Sequence, residues 1–251
     1  MRIRGERTAC VLCTAAAALA LIRPCVVGAQ GNGAKAAVQT ANAEAPAYRV
    51  GLKSIAIPPP PADDLKEIGP DYRVLFETFA PGTNRLVAAF VLPSESAALR
   101  SGGTEDVSTY ALVEVPRAAE FKQVTPDLFK QMAEAVATEF GTNLDADVKK
   151  GTDEINERLK DLNSGSTGVT MDSPAPLGTL FAGSDEDGFG LISQVTVKGT
   201  STKVAMAVVL ARVQDRVIFA YLYTVYKDAD TVRWLSTTSH AWADAILKAN
   251  P

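Results

Sequence analysis

The sequence predicts an α+β fold, in which an antiparallel β-sheet has helices packed on both faces (an α/β/α sandwich). The strands predicted at residues 203–214 and 216–226 are apolar on both of their faces. An antiparallel strand with one face in water alternates apolar with polar residues, so this hairpin is expected at the centre of a sheet that is covered on both sides. Two helical patterns with apolar stripes, at residues 126–140 and 228–249, can supply the covering layers.

The start of the chain has the pattern of a cleaved export signal. Arginines precede an uncharged Ala/Leu-rich stretch at residues 8–22, and small residues at 27–29 suit cleavage after Ala29. A membrane anchor needs about 20 apolar residues, and Arg23-Pro24 end this run earlier. We therefore expect a signal peptide at residues 1–29, a flexible leader at 30–47, and one domain at 48–251 in the periplasm or outside the cell.

The scarce residue types exclude several chemistries. Cys10, Cys13 and Cys25 all lie in the predicted signal, so the mature chain would be cysteine-free, and His240 is the only histidine. These counts exclude thiol catalysis, disulfide scaffolds and sites built on several histidines. No P-loop or G-x-G-x-x-G is present, so no cofactor is predicted.

Charge and hydropathy argue against nucleic acid as a partner and against stable membrane insertion. Signal cleavage would remove four arginines and one glutamate, which shifts the net charge from −4 to −7 and leaves an acidic chain. Such a chain, without a basic run, has no electrostatic footprint for nucleic acid. The longest apolar run after the signal, residues 204–211, is too short for stable membrane insertion.

The first half of the domain alternates predicted strands with turns. A first strand at residues 48–57 ends at the proline run 58–61, which is interpreted as a stiff connector, with a recognition motif as the alternative. Residues 72–79 and 85–92 flank a Pro-Gly-Thr-Asn turn and are predicted to form a hairpin. A polar loop and a strand at 109–115 follow. Thr125-Pro126 begin the first helix, because threonine caps helices and proline suits their first position.

The second half supplies the rest of the sheet. Residues 145–162 have helical spacing but a thin apolar stripe, which predicts a mostly solvated helix. Four consecutive strands follow, at 177–184, 189–198, 203–214 and 216–226. The last helix runs to about Ala249, with Trp234 and Trp242 on its buried stripe.

The ending of the chain carries a resemblance. Phe219-Ala220-Tyr221-Leu222-Tyr223, followed by His240-Ala241-Trp242-Ala243, resembles uncharacterised exported proteins of Gram-negative bacteria. The order of elements over residues 177–249 is similar to that of the Mog1/PsbP-like α/β/α sandwich. This resemblance rests on a core pattern, so it implies a fold and transfers no binding residue.

His240 is the obvious catalytic candidate. Ser236 and Asp244 lie four residues before and after it, which would give a Ser-His-Asp arrangement on one helix face. Such a face provides neither an oxyanion hole nor a pocket, so a solvent-facing histidine in an i,i+4 pair is favoured over a hydrolase site.

Two further sets of residues are candidate binding sites. Asp185 and Asp187 fit two positions of a calcium loop, but the first carboxylate and the bidentate glutamate of that loop are missing, so a polar turn is favoured. Phe219, Tyr221 and Tyr223 share a strand face and would line a small-molecule pocket if the covering layer left a gap, with core packing as the favoured alternative.

These observations favour an exported, non-catalytic domain that acts through protein or envelope contacts, with an envelope protein as one kind of partner. A periplasmic binder of a small apolar or aromatic ligand at Phe219, Tyr221 and Tyr223 is the first alternative. A carboxylate- or serine-based hydrolase is the second.

Overall fold

The structure is a computed structural model that describes residues 45–62, 64–69, 73, 76–77, 80–100, 107–142, 144–161, 169–197 and 199–251. The predicted signal peptide and residues 30–44 of the predicted leader lie outside the described residues. The elements are β1 (Ala47–Val50), β2 (Lys53–Ala56), β3 (Lys66–Glu67), β4 (Asn84–Val91), α1 (Pro93–Arg100), β5 (Thr109–Pro116), α2 (Pro126–Thr142), α3 (Leu144–Asp161), β6 (Val169–Met171), β7 (Ala175–Ala182), β8 (Glu186–Val197), β9 (Thr200–Val213), β10 (Arg216–Val225) and α4 (Ala229–Lys248).

An antiparallel sheet of eight strands organises the described part of the chain. Its order is β3-β4-β5-β10-β9-β8-β6, and β7 pairs with β8 beside this path. The β9–β10 hairpin is central and pairs without interruption from Arg216–Val213 to Val225–Val204. Asp215, in the turn between these strands, has a φ of 62°. β1 and β2 form a separate two-stranded sheet.

Each face of the sheet has its own core, as predicted from the two-sided apolar strands. One face joins Val208 and Leu210 of β9 to Phe129 and Phe140 of α2. The other face is rich in alanine and packs against Leu235, Trp242 and Ile246 of α4. Alanine allows a helix to approach the strands closely, so the small side chains set the position of α4. The α+β sandwich with helices on both faces is therefore confirmed.

α4 is held at both of its ends. The Asp228 side chain accepts hydrogen bonds from the backbone N–H groups of Asp230 and Thr231, and it forms a capping box with Thr231. After the helix, Asn250 binds both backbone groups of Ala56 in β2. In the middle of the helix, the Trp242 Nε1–H donates to the Pro58 carbonyl oxygen at 2.8 Å. The first residue of the proline run is therefore joined to α4.

Three local expectations were wrong. Residues 48–57 are not one strand, because the chain turns at Gly51, whose φ is 58°, and returns as β2. Arg73, Phe76 and Glu77, expected in a strand, are helical, and an Arg73–Glu77 ion pair of 3.0 Å supports the helical spacing. Among the described residues, β4 pairs with β5 along its length and with β3 at Phe90 and Val91. The expected polar loop after β4 begins with α1, which has Pro93 at its first position.

No helix within the described residues is both long enough and apolar enough to cross a membrane.

Candidate functional site

A buried glutamate stands at the start of β8. Glu186 is only 7% exposed, and its Oε2 has no hydrogen-bond partner. It pairs in register with Ala211 of β9, which lies on the face covered by α4. The tight turn before β8 holds it in place, because the Gly183 N–H donates to the Glu186 carbonyl oxygen at 2.7 Å. A buried carboxylate oxygen without a hydrogen-bond partner is rare in folded proteins, so the position of Oε2 needs an explanation.

His240 of α4 reaches across to this carboxylate. Its Nε2 lies 3.2 Å from Glu186 Oε1, and its side chain is 52% exposed. The Phe181 ring of β7 stacks on the imidazole with a centroid distance of 4.6 Å and an angle of 22°. Phe181 is itself seated over the backbone of Gly188, where a Cβ would collide with the ring. The imidazole is therefore oriented by two strands of the sheet.

Asp244 completes a group of three, which we call the Glu186 cluster (Glu186, His240 and Asp244). One ligand atom from each residue lies within 4.8 Å of the other two. Asp244 is four residues after His240, so both side chains project from one face of α4. Its carboxylate is half-exposed and pairs with Lys248 Nζ at 3.6 Å. The cluster thus has one buried oxygen ligand and two ligands open to solvent.

Electrostatics in the Glu186 cluster favour an added cation. Burial raises the pKa of Glu186, and the nearby Asp244 charge raises this pKa further, while His240 acts in the opposite direction. Arg212, the guanidinium of the neighbouring strand β9, is already engaged by Asp185 at 2.6 Å and by Asp215 at 2.8 Å. Within the described part of the chain, the carboxylates of Glu186 and Asp244 therefore have only the His240 imidazole and the exposed Lys248 as nearby partners.

A second surface feature consists of two exposed apolar residues, one in the β1–β2 turn and one in the loop after β5. Leu52 is 75% exposed and Phe121, in the loop after β5, is 68% exposed. Their neighbours in sequence are in contact, because the Gly51 N–H donates to Glu120 Oε1 at 3.4 Å. A Cβ on Gly51 would overlap the Glu120 carbonyl, so only glycine permits this approach. Two segments that are distant in the sequence are therefore held together directly beside these exposed apolar residues.

Basic residues surround this pair. Arg85 binds Glu120 and also donates to the Arg49 carbonyl oxygen at 2.7 Å. Arg216 donates to the Lys122 carbonyl oxygen at 2.7 Å, which fixes the loop that carries Phe121. The exposed members form what we call the basic-apolar surface: Arg49, Leu52, Lys53, Arg117, Phe121 and Lys122. The acidic chain thus exposes several basic residues on two joined segments, at positions that form no run in the sequence.

The residues predicted to line a ligand pocket lie in the core. Phe219 is 2% exposed, and Tyr221 and Tyr223 are fully buried. Tyr223 stacks on Tyr110 of β5 with a centroid distance of 4.5 Å, and burial raises the pKa of Tyr223 well above its ordinary value. This is the packed arrangement that the sequence interpretation favoured over a pocket.

The two aspartates predicted as a calcium site point to different surroundings. Asp185 binds Arg212. Asp187 pairs in register with Leu210, whose side chain belongs to the core under α2, and it lines a groove of about 450 Å³ there together with Phe129 and Ala133. Neither aspartate belongs to the Glu186 cluster, although Glu186 lies between them in the sequence. The strand alternation that separates them from Glu186 was missed because residues 185–188 were interpreted as a turn.

His240 was predicted to face solvent in an i,i+4 pair. Its half-exposed side chain fits that prediction in part, but its partner is Glu186 of the sheet and Asp244 pairs instead with Lys248. The one sequence feature that points to this contact is an acidic residue at the start of a strand. This feature is common, so it is a weak predictor of the contact.

Comparisons with known proteins add a weak likeness of fold. No family model and no curated protein matches the chain. Among solved structures, the Ran-binding protein Mog1p of Saccharomyces cerevisiae is 13% identical with a TM-score of 0.26, and the match covers 78% of this chain and 84% of that one. A point mutant of Mog1 is 14% identical with the same TM-score of 0.26, and the match covers 81% and 90% of the two chains.

Proposed function

We propose that this protein is an exported, non-catalytic domain that acts by docking onto an acidic surface of an envelope protein through its basic-apolar surface. The observation that carries the proposal is that Leu52 and Phe121 are each next in sequence to one of two residues, Gly51 and Glu120, that are bonded to each other. Both side chains are more than two-thirds exposed, although they come from separate loops that are bonded to each other. Export itself is supported by the signal-like pattern of the first 29 residues.

The chemistry of this surface suits a protein partner. Aromatic residues and arginine are enriched at the centres of protein interfaces, where the apolar side chains exclude water from the charged contacts. Fully burying a leucine or phenylalanine side chain contributes about 1.5–3 kcal/mol. Arg49 and Arg117 can bind carboxylates through two parallel hydrogen bonds, which lysine cannot do. An acidic partner is therefore favoured over a neutral one.

The overall charge of the chain also favours docking of an acidic partner at this surface. The full chain has a net charge of −4, and cleavage of the predicted signal would make it −7, so an acidic partner would be repelled by the chain as a whole and attracted by the exposed basic residues of this surface. Such an uneven charge distribution selects one docking orientation and accelerates encounter. The Arg85–Glu120 ion pair, at 2.5 Å, keeps the loops together before the partner arrives.

Site-specific photocrosslinking tests this proposal. A photoreactive amino acid is placed at position 121 of the complete chain, and for comparison at Lys149, an exposed position on α3. We expect position 121 to crosslink an acidic envelope protein that position 149 does not. The purified partner should then bind the wild-type chain. Its affinity should fall by about tenfold for Phe121→Ser and for Arg117→Glu, whereas Lys149→Glu should leave the affinity unchanged.

Two results would count against this function. Binding that is insensitive to Phe121→Ser and Arg117→Glu would place the contact elsewhere on the molecule. Binding to phosphatidylglycerol vesicles, lost in the same two variants and accompanied by no protein crosslink, would make the occupant an anionic membrane instead.

A further inference from the structure

We infer that the Glu186 cluster is a binding site for one divalent transition-metal ion of the Zn²⁺ type. This inference is independent of the proposed docking function, because the cluster joins α4 to β8 and shares no residue with the basic-apolar surface. Its three ligand atoms come from a carboxylate on a strand and from an imidazole and a carboxylate on a helix. Zn²⁺ commonly takes three such protein ligands together with water.

The first argument is the buried oxygen of Glu186. The side chain is 9% exposed, and its Oε2 has no hydrogen-bond partner. Its Oε1 lies 3.2 Å from His240 Nε2, a separation close to that of two ligands about 2.0–2.2 Å from a shared metal ion. A bound cation would offset the cost of burying this carboxylate, whose second oxygen has no partner.

The second argument is the rigidity of the ligands. Phe181 stacks on His240, and the space above Gly188 that holds this ring would be lost with any side chain there. The Gly183 N–H fixes the backbone of Glu186, and a Cβ at Gly183 would come within 3.1 Å of Glu186 Cγ. Ligands that neighbouring groups hold in place lose little entropy when a metal binds.

The ligand chemistry chooses the class of metal. An imidazole nitrogen with two carboxylates suits Zn²⁺, Cu²⁺, Ni²⁺ or Co²⁺. Ca²⁺ needs six to eight oxygen ligands, which this group does not supply. The half-exposed His240 and Asp244 leave the outer side of the cluster open to solvent. A bound ion would therefore keep water or another exchangeable ligand on that side.

The test is metal binding by the full chain after treatment with a chelator. Titration with CoCl₂, followed by visible absorption, and with ZnCl₂, followed by calorimetry, should each show saturation at one ion per chain. His240→Ala and Glu186→Gln should each weaken metal binding by at least about tenfold. Loss of a residue that only supports a metal ligand through a hydrogen bond already costs roughly 10- to 100-fold in affinity. The Co²⁺ absorption bands should change with His240→Ala, because this variant removes the nitrogen ligand.

Asp187→Asn is the matched control. It removes a carboxylate next to Glu186 whose side chain faces α2, so metal binding should stay within about twofold of wild type. Circular dichroism of each variant shows whether it is folded, and Asp244→Asn, at a half-exposed position, replaces any variant that is not. The inference fails if no saturable binding is seen, if Ca²⁺ binds more tightly than Zn²⁺, or if the cluster variants bind like Asp187→Asn.

Discussion

Asn250 joins the end of α4 to strand β2, and its removal should destabilise the protein measurably. Its Oδ1 accepts from the Ala56 N–H at 2.8 Å, and its Nδ2 donates to the Ala56 carbonyl oxygen at 2.7 Å. The same Nδ2 donates to the Ile246 carbonyl oxygen at 2.7 Å. Asn250→Ala removes all three hydrogen bonds and leaves the backbone of Ala56 without these partners.

The magnitude follows from the number of bonds and their burial. A hydrogen bond within a protein contributes about 0.5–1.5 kcal/mol net, and more where the abandoned group is shielded from water. Asn250 is 8% exposed, whereas Ala56 is half-buried and water can reach it. We therefore expect the free energy of unfolding to fall by about 2–3 kcal/mol. For a chain of this size that corresponds to a fall of about 5–10 °C in Tm.

Urea unfolding followed by tryptophan fluorescence measures this change. Trp242 is fully buried and bonded to Pro58, so its emission reports the packing of α4. The control is Lys248→Ala, which removes only an exposed ion pair two residues earlier and should cost about 0.5 kcal/mol or less. Amide exchange at Ala56 should also accelerate in Asn250→Ala.

The reasoning is refuted if Asn250→Ala costs less than about 1 kcal/mol, or no more than Lys248→Ala. Asn250→Asp provides a second check at neutral pH. It keeps an acceptor for the Ala56 N–H but turns a carboxylate oxygen toward two carbonyl oxygens. It should therefore be at least as destabilising as the alanine variant.

Two further predictions concern the neighbourhood of each proposed site. The Arg85 hydrogen bond holds the pKa of Glu120 below its usual value of 4.5, so its stabilisation is present above about pH 4.5 and is lost as the pH falls through the lowered pKa. The stability difference between wild type and Glu120→Gln in urea unfolding should therefore shrink on acidification, and a constant difference would contradict this. Gly188→Ala places a Cβ 2.7 Å from Phe181 Cδ1 and should cost about 1–3 kcal/mol and shift the NMR signals of His240. The control Gly69→Ala, with no atom within 4 Å, should change neither, and equal costs for the two variants would refute the overlap.

Periodicity predicted the elements that form by burial. The strands that became β9 and β10 were identified because their residues are apolar on both faces, and the helix that became α4 because its stripe repeats at helical spacing. The segment at residues 72–79 failed because its apolar residues fit a strand and a helix almost equally. There the i,i+4 pair of Arg73 and Glu77 accompanies the helix.

The sequence by itself determined the fold class, the central hairpin and the helix that covers it, because these depend on which residues leave water and on the spacing at which they recur. Only the tertiary structure decided the two surfaces proposed to act. Glu186 contacts His240 because α4 packs against β8, and the segments that carry Leu52 and Phe121 are joined by the Gly51–Glu120 hydrogen bond, between residues 69 apart in the chain. These long-range contacts depend on strand register and on the close approach of neighbouring groups that Gly51 and Gly188 allow. No local pattern of residues encodes them.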